Sequence, residues 1–223
     1  MAATAHIKTR DEIAAAYASP PLWYDVRGFF ILTFAYNSTL PRQLRFFGAN
    51  MGPRHLELAC GSGTLLGLTL LYRRLKRLPM PEISAADYAE SMLAGAIRRF
   101  RGNSRVDVRL ADAAALPYPD ASFHTVNVAN AVHCFPDIDG ALREIRRVLK
   151  PGGTLAVNVL LYPRTPWPLN RIAQRLDEWG IRKGILFTPY EQEDVLRRVA
   201  AAGLDVRSTT ISGNCLELLA SRP

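Results

Sequence analysis

The clearest pattern along the chain begins at His55, where short apolar runs alternate with longer stretches of helical period. The apolar runs lie at 55–58, 83–86, 106–110, 125–129 and 154–160. Between them, 64–77, 90–101 and 138–149 carry apolar residues at helical spacing. Strand, helix, strand at this rhythm predicts βαβ units, a parallel sheet and right-handed crossovers. Past residue 160 the rhythm breaks. Tyr162-Pro163-Arg164-Thr165-Pro166-Trp167-Pro168 reads as a stiff loop, followed by a helix near 169–179. A further helix over 190–202 ends at Gly203, suited to the C′ position. Two final strands, 205–211 and 215–221, flank Gly213 closely enough for a hairpin.

The first fifty residues are patterned differently. Thr9-Arg10-Asp11-Glu12 has capping-box form and predicts a short helix to about Ala18, stopped by Pro20-Pro21. The segment 23–47 holds Trp23, Tyr24, Phe29, Phe30, Phe34, Tyr36, Phe46 and Phe47, broken by Asp25, Arg27, Asn37 and Arg42. That mixture suits amphipathic helices lying on a domain. Residues 1–50 are therefore expected to form a helical cap, and 51–223 a single α/β domain with 162–187 as a lid insertion.

Composition narrows the setting. Of 223 residues, 48% are hydrophobic, enough for a sizeable core. The start of the chain lacks a signal-peptide pattern, and the apolar stretch 28–36 is about half what a membrane span needs. Cys60, Cys134 and Cys215 have no metal-type spacing, so no metal site is expected and a reducing cytoplasm suits them. The net charge of +8 raises the question of a polyanionic partner. The basic clusters 73–77, 98–101 and 146–147 each close a predicted helix, where cations complement the dipole and face water. Nucleic acid is thus not the expected partner; weak contact with an anionic membrane surface stays open as a second reading.

The candidate chemistry starts at His55-Leu56-Glu57-Leu58-Ala59-Cys60-Gly61-Ser62-Gly63-Thr64. This is a strand, a glycine turn, then a helix, at the end of a sheet where α/β proteins bind ligands. A plain structural turn would satisfy Gly61 and Gly63 equally well. Three further positions sharpen the picture. Asp87 closes the second strand, where an acid can accept both ribose hydroxyls; Asp112 and Ala113 follow the third; Asn130 and His133 follow the fourth. All lie at strand carboxyl ends and converge on one crevice.

These motifs resemble the class I S-adenosylmethionine-dependent methyltransferases. The turn resembles their first motif, with Glu57 as its acid, Gly61 and Gly63 as its later glycines, and Ala59 where the first glycine often stands. The run 87–93, Asp-Tyr-Ala-Glu-Ser-Met-Leu, resembles the second motif. The run 111–123 resembles the third motif region, with His124 replacing the usual aspartate after Phe123, and 142–155 resembles the helix-turn before the fifth strand. The resemblance is nearest to a small-molecule branch that includes quinone-biosynthesis methyltransferases. It implies a Rossmann-like, mostly parallel seven-stranded sheet of order 3-2-1-4-5-7-6, helices on both faces and an antiparallel last strand. It further implies S-adenosylmethionine as cofactor. Glu57, Ala59, Gly61 and Gly63 would bound its methionine and ribose part, and Asp87 the ribose diol. Tyr88 would pack on the adenine, or serve as core filler. Asp112 and the Ala113 amide would meet the adenine edge, and Asn130 would lie beside the methionine moiety.

Methyl transfer from a sulfonium needs alignment and exclusion of water more than it needs a proton acceptor. His133 is the one residue there with a useful pKa, either as a base or as a wall residue. The aromatic N-terminal stretch and the lid suit a small, apolar or lipid-like acceptor, with Tyr24, Tyr36 and Trp167 as candidate contacts. Two alternatives belong to other classes: a methyltransferase acting on RNA or protein through the basic surface, and a non-enzymatic cofactor-binding partner protein.

Overall fold

The computed structural model describes residues 38–164, 166–182 and 189–223. The cap helix expected near 9–18 and the aromatic stretch up to Asn37, with Tyr24 and Tyr36, lie outside the described residues. In chain order the elements are α1 (Leu40–Ala49), β1 (Arg54–Leu58), α2 (Thr64–Leu75), β2 (Glu82–Asp87), α3 (Glu90–Phe100), β3 (Val106–Leu110) and β4 (Phe123–Val128). A 3-10 turn (Val132–Cys134), α4 (Ile138–Val148), β5 (Leu149–Leu160), α5 (Leu169–Arg182), α6 (Gln192–Ala201), β6 (Asp205–Ser212) and β7 (Cys215–Ser221) complete it.

The sheet has the expected order, β3-β2-β1-β4-β5-β7-β6. β1 to β5 pair in parallel, and β7 runs antiparallel to both β5 and β6. Gly213 (φ 59) turns the β6–β7 hairpin. The central strands are buried on both faces, as parallel strands between helical layers must be. Leu56, Leu58, Val126, Val128, Leu155, Val157 and Val159 all belong to one core.

Several boundaries move for local reasons. β5 begins at Leu149 instead of 154, because Leu149 already pairs with Phe123 across an irregularity in β4. α2 stops at Leu75: Arg77 takes a left-handed φ of 54, and the Leu78 amide donates back to the Arg73 carbonyl, a helix-ending bond. Tyr190 is not helical. It forms a parallel bridge with Leu161 before Glu191 caps α6. The prediction that helix-end arginines face water fails for Arg73 and Arg147. Arg73 is buried and donates to the carbonyls of Gly48 and Pro79, while Arg147 donates to Glu144, Asp120 and the carbonyls of Leu116 and Tyr118.

α5 also departs from expectation. Helical spacing puts Leu169, Ile172, Leu176 and Trp179 on one face, of which Leu176 and Trp179 are half-buried. Ala173 and Asp177 are buried, whereas Leu169 and Ile172 are exposed.

Candidate active site

Parallel register brings the strand ends level. Leu58 pairs with Ala86 on one side and Val128 on the other, and Asp87 pairs with Leu110. Neighbouring strands lie about 4.8 Å apart, so the residues just beyond them line one edge. That edge carries the glycine turn, Asp87, Asp112 and Asn130.

Asp87 organises this edge. Its Oδ2 accepts from the Gly61 amide at 2.7 Å and its Oδ1 from the Ala89 amide at 2.9 Å. The first bond ties the turn after β1 to the end of β2. Each carboxylate oxygen has two lone-pair positions, so capacity remains for an incoming hydroxyl. Burial raises the Asp87 pKa, opposed by hydrogen bonds from the amides of Ala89, Gly61 and Tyr88. A half-buried carboxylate held only by neutral donors is a receptive site for a diol.

The glycine turn divides its tasks. Gly61 (φ 56) and Gly63 (φ 75) are left-handed. A Cβ on Gly63 would stand 2.6 Å from Phe100 Cε2. Close packing of α2 against α3 therefore requires this glycine, independently of any ligand. Ala59 has φ 58, which explains the glycine preference at that position: alanine there bears about 1 kcal/mol of strain. Glu57 is buried, and its Oε2 contacts His55 Nε2 at 3.1 Å. His55 Nδ1 lies 2.8 Å from Thr125 Oγ1, which also accepts from the Gly52 amide. With the proton on Nε2, His55 donates to Glu57, Thr125 donates to Nδ1, and every member of this buried chain is satisfied.

Asp112 Oδ1 accepts from the Ala114 amide at 2.9 Å. The loop after it is strapped from α4: Glu144 accepts from the Leu116 amide at 2.8 Å, and Arg147 donates to the Leu116 and Tyr118 carbonyls. Asp112 and Ala113 are half-buried at the crevice, and Tyr88 is likewise half-buried beside Asp87.

Asn130 is left-handed (φ 55) and carries the most hydrogen bonds at the edge. Its amide donates to Asn158 Oδ1 at 2.6 Å, and Asn158 Nδ2 donates to its Oδ1 at 2.6 Å. Its Nδ2 donates to Gln43 Oε1 at 3.0 Å. Gln43 and Asn158 are each 1% exposed. Sequence reasoning missed both, because nothing local marks a glutamine on α1 or an asparagine inside β5 as partners of a residue after β4. Next to Gln43, Arg42 grips the buried Glu217 on β7 through two bonds of 2.8 Å. α1 is thereby fastened to the sheet beside the crevice.

His133 is buried in the turn after Asn130, and burial lowers its pKa to about 4. Burial pushes the Cys60 thiol up, so it is no ready nucleophile. His124, which replaces the expected aspartate, sits at the start of β4 on the opposite edge of the sheet. Its ring nitrogens lie 3.3 Å from the Arg54 amide and 3.1 Å from Lys150 Nζ, a structural position. Trp167 is 74% exposed and is not walled into the crevice. Among the described residues, no three His, Cys, Asp or Glu side chains are grouped to hold a metal.

Comparison with known proteins agrees with this geometry. The methyltransferase-domain family profile matches residues 56–157. A demethylmenaquinone methyltransferase of Thermus thermophilus is 42% identical over 115 residues, covering 51% of this chain and 49% of that protein. The ubiquinone/menaquinone biosynthesis C-methyltransferase UbiE of Shewanella oneidensis is 33% identical over 154 residues, covering 67% of this chain and 59% of the other. The chain thus spans about half the length of the curated relatives it matches. Among solved structures, that of a putative methyltransferase in complex with the Haloferax volcanii Trm112 activator superposes with a TM-score of 0.69 at 20% identity, covering 97% of this chain and all of the other. Such identity speaks for the fold, while the motif residues lie within the region the family profile matches. Residues 56–157 of this chain match the methyltransferase-domain family, and the fold is that of solved S-adenosylmethionine-dependent methyltransferases.

Proposed function

We propose that this protein transfers a methyl group from S-adenosylmethionine to a small, apolar, lipid-like acceptor by in-line displacement. The observation that carries the cofactor half is Asp87, a carboxylate fixed by the Gly61 and Ala89 amides at the shared strand edge. When bound, the cofactor supplies an activated methyl on a sulfonium. Asp87 accepts from the ribose diol. Asp112 and the Ala113 amide meet the adenine edge, with Tyr88 against its face. Glu57, Ala59, Gly61 and Asn130 bound the methionine end. His133 is uncharged at neutral pH and serves as an orienting hydrogen-bond group; with its pKa lowered to about 4 it is a weak proton acceptor.

Relatives named for quinone biosynthesis support the acceptor class. So does the aromatic and apolar composition of the stretches 23–47 and 162–187. The macromolecular alternative loses force because Arg73 and Arg147 are committed to internal carbonyls and carboxylates. Calorimetry with S-adenosylmethionine and with S-adenosylhomocysteine tests the cofactor half. Transfer of a labelled methyl to a panel of prenylated quinols, catechols and single-stranded RNA tests the acceptor half. Absence of binding by either cofactor form refutes the reading; transfer to RNA alone corrects it to the macromolecular class.

A further inference from the structure

The lid helix α5 has a second face that the fold does not bury. Its inward side holds Ala173 (0% exposed) and Asp177 (6%). Along one flank of that side lie Leu169 (40%) and Ile172 (42%), with Trp167 (74%) just before the helix. Arg171, Arg175 and Arg182 are all exposed on the same helix, and none makes an ion pair with a described residue. Glu178 is the helix's one exposed acid. No described helix is long and apolar enough to cross a membrane.

We propose that this face docks on an anionic lipid surface. An amphipathic helix with a tryptophan at its edge and arginines flanking its apolar side lies in the plane of the interface. Its apolar residues then sink about 5–10 Å into the headgroup and acyl boundary. Charge decides the occupant. A second copy of this chain, itself carrying +8, would bring two sets of three arginines together, a repulsive arrangement. An anionic leaflet attracts each of them. Docking would place the crevice where an apolar acceptor is dissolved. For that purpose the inference rests on the apolar-acceptor reading, but vesicle binding is measured without cofactor or acceptor, so either can fail while the other stands.

The test is co-sedimentation of the full chain with vesicles of phosphatidylglycerol and phosphatidylcholine, against phosphatidylcholine alone. Binding is expected to the anionic vesicles, at least tenfold weaker to the neutral ones, and reduced by raising salt. Arg171→Gln with Arg175→Gln should weaken it roughly 25-fold, about fivefold per arginine. Ile172→Ser should weaken it several-fold, and Trp167→Phe should remove most of the blue shift in tryptophan emission on binding. Undiminished calorimetric binding of S-adenosylhomocysteine shows that the variants are folded. Equal binding to both vesicle types, none to either, or variants that bind as tightly as wild type overturn the proposal. A wild-type dimer in sedimentation velocity that Ile172→Ser dissociates also overturns it and gives the face to a second copy.

Discussion

At the scale of single residues, strain and open hydrogen-bond capacity collect at the crevice. Ala59 and Asn130 adopt left-handed φ without being glycine. Ala59→Gly relieves that strain and should stabilise the fold by about 1 kcal/mol in chemical denaturation. Gly63→Ala should destabilise by roughly 2–3 kcal/mol, because the added Cβ meets Phe100 and the φ of 75 is unfavourable for alanine. On the proposed role of Asp87 toward the ribose diol, Asp87→Ala should weaken S-adenosylhomocysteine binding about a hundredfold by calorimetry. Asp177 makes a different prediction. It is buried, its Oδ2 has no hydrogen-bond partner among the described residues, and burial raises its pKa to about 7 from the usual 3.8. A carboxyl raised on folding contributes stability that is complete below about pH 4 and lost as pH rises through 7. Asp177→Asn should therefore raise Tm by a few degrees at pH 8 and by clearly less at pH 5, as melting curves at the two pH values will show.

At the scale of elements, the sheet and its ligand edge were legible and the cap's fastening was not. Continuous apolar runs and period-3.6 patterns located every strand and crossover helix, since burial on both faces of 55–58 or 125–128 leaves a plain apolar signature. Acids and glycines at strand ends were legible because the parallel topology forces them together. For α5 the pattern gave a helix near 169–179, but the residues the fold buries there, Ala173 and Asp177, were not legible. A hydrophobic stripe reports preference for an apolar medium, and sequence alone does not say which medium meets it. Gln43, Asn158 and Glu217 were invisible because their partners lie far away in sequence. The Arg42–Glu217 pair tests the cap. Glu217 is buried and Arg42 about a third exposed, so Arg42→Ala should cost about 2 kcal/mol, less than for a fully buried pair. Adding Glu217→Gln should recover part of that loss, as a double-mutant cycle will measure.

At the scale of the whole molecule, ligand binding and stability are linked through the same edge. S-adenosylhomocysteine at a hundred times its Kd adds about 2.7 kcal/mol to a folded state that alone binds it. For a chain of this length that corresponds to a rise in Tm of roughly 5–10 °C. The rise should be lost in Asp87→Ala at the same ligand concentration, which differential scanning fluorimetry will show.

Arg42 and Glu217 stand 175 positions apart in the chain. A ribosome that has delivered α1 must still make nearly the whole sheet before Arg42 can meet its carboxylate. Closing so long a loop has a high entropic barrier, and contacts of such separation form late. α1 is therefore an early product and a late arrival. Until β7 slots between β5 and β6, the nascent domain carries β5 as an unpaired, aggregation-prone edge strand.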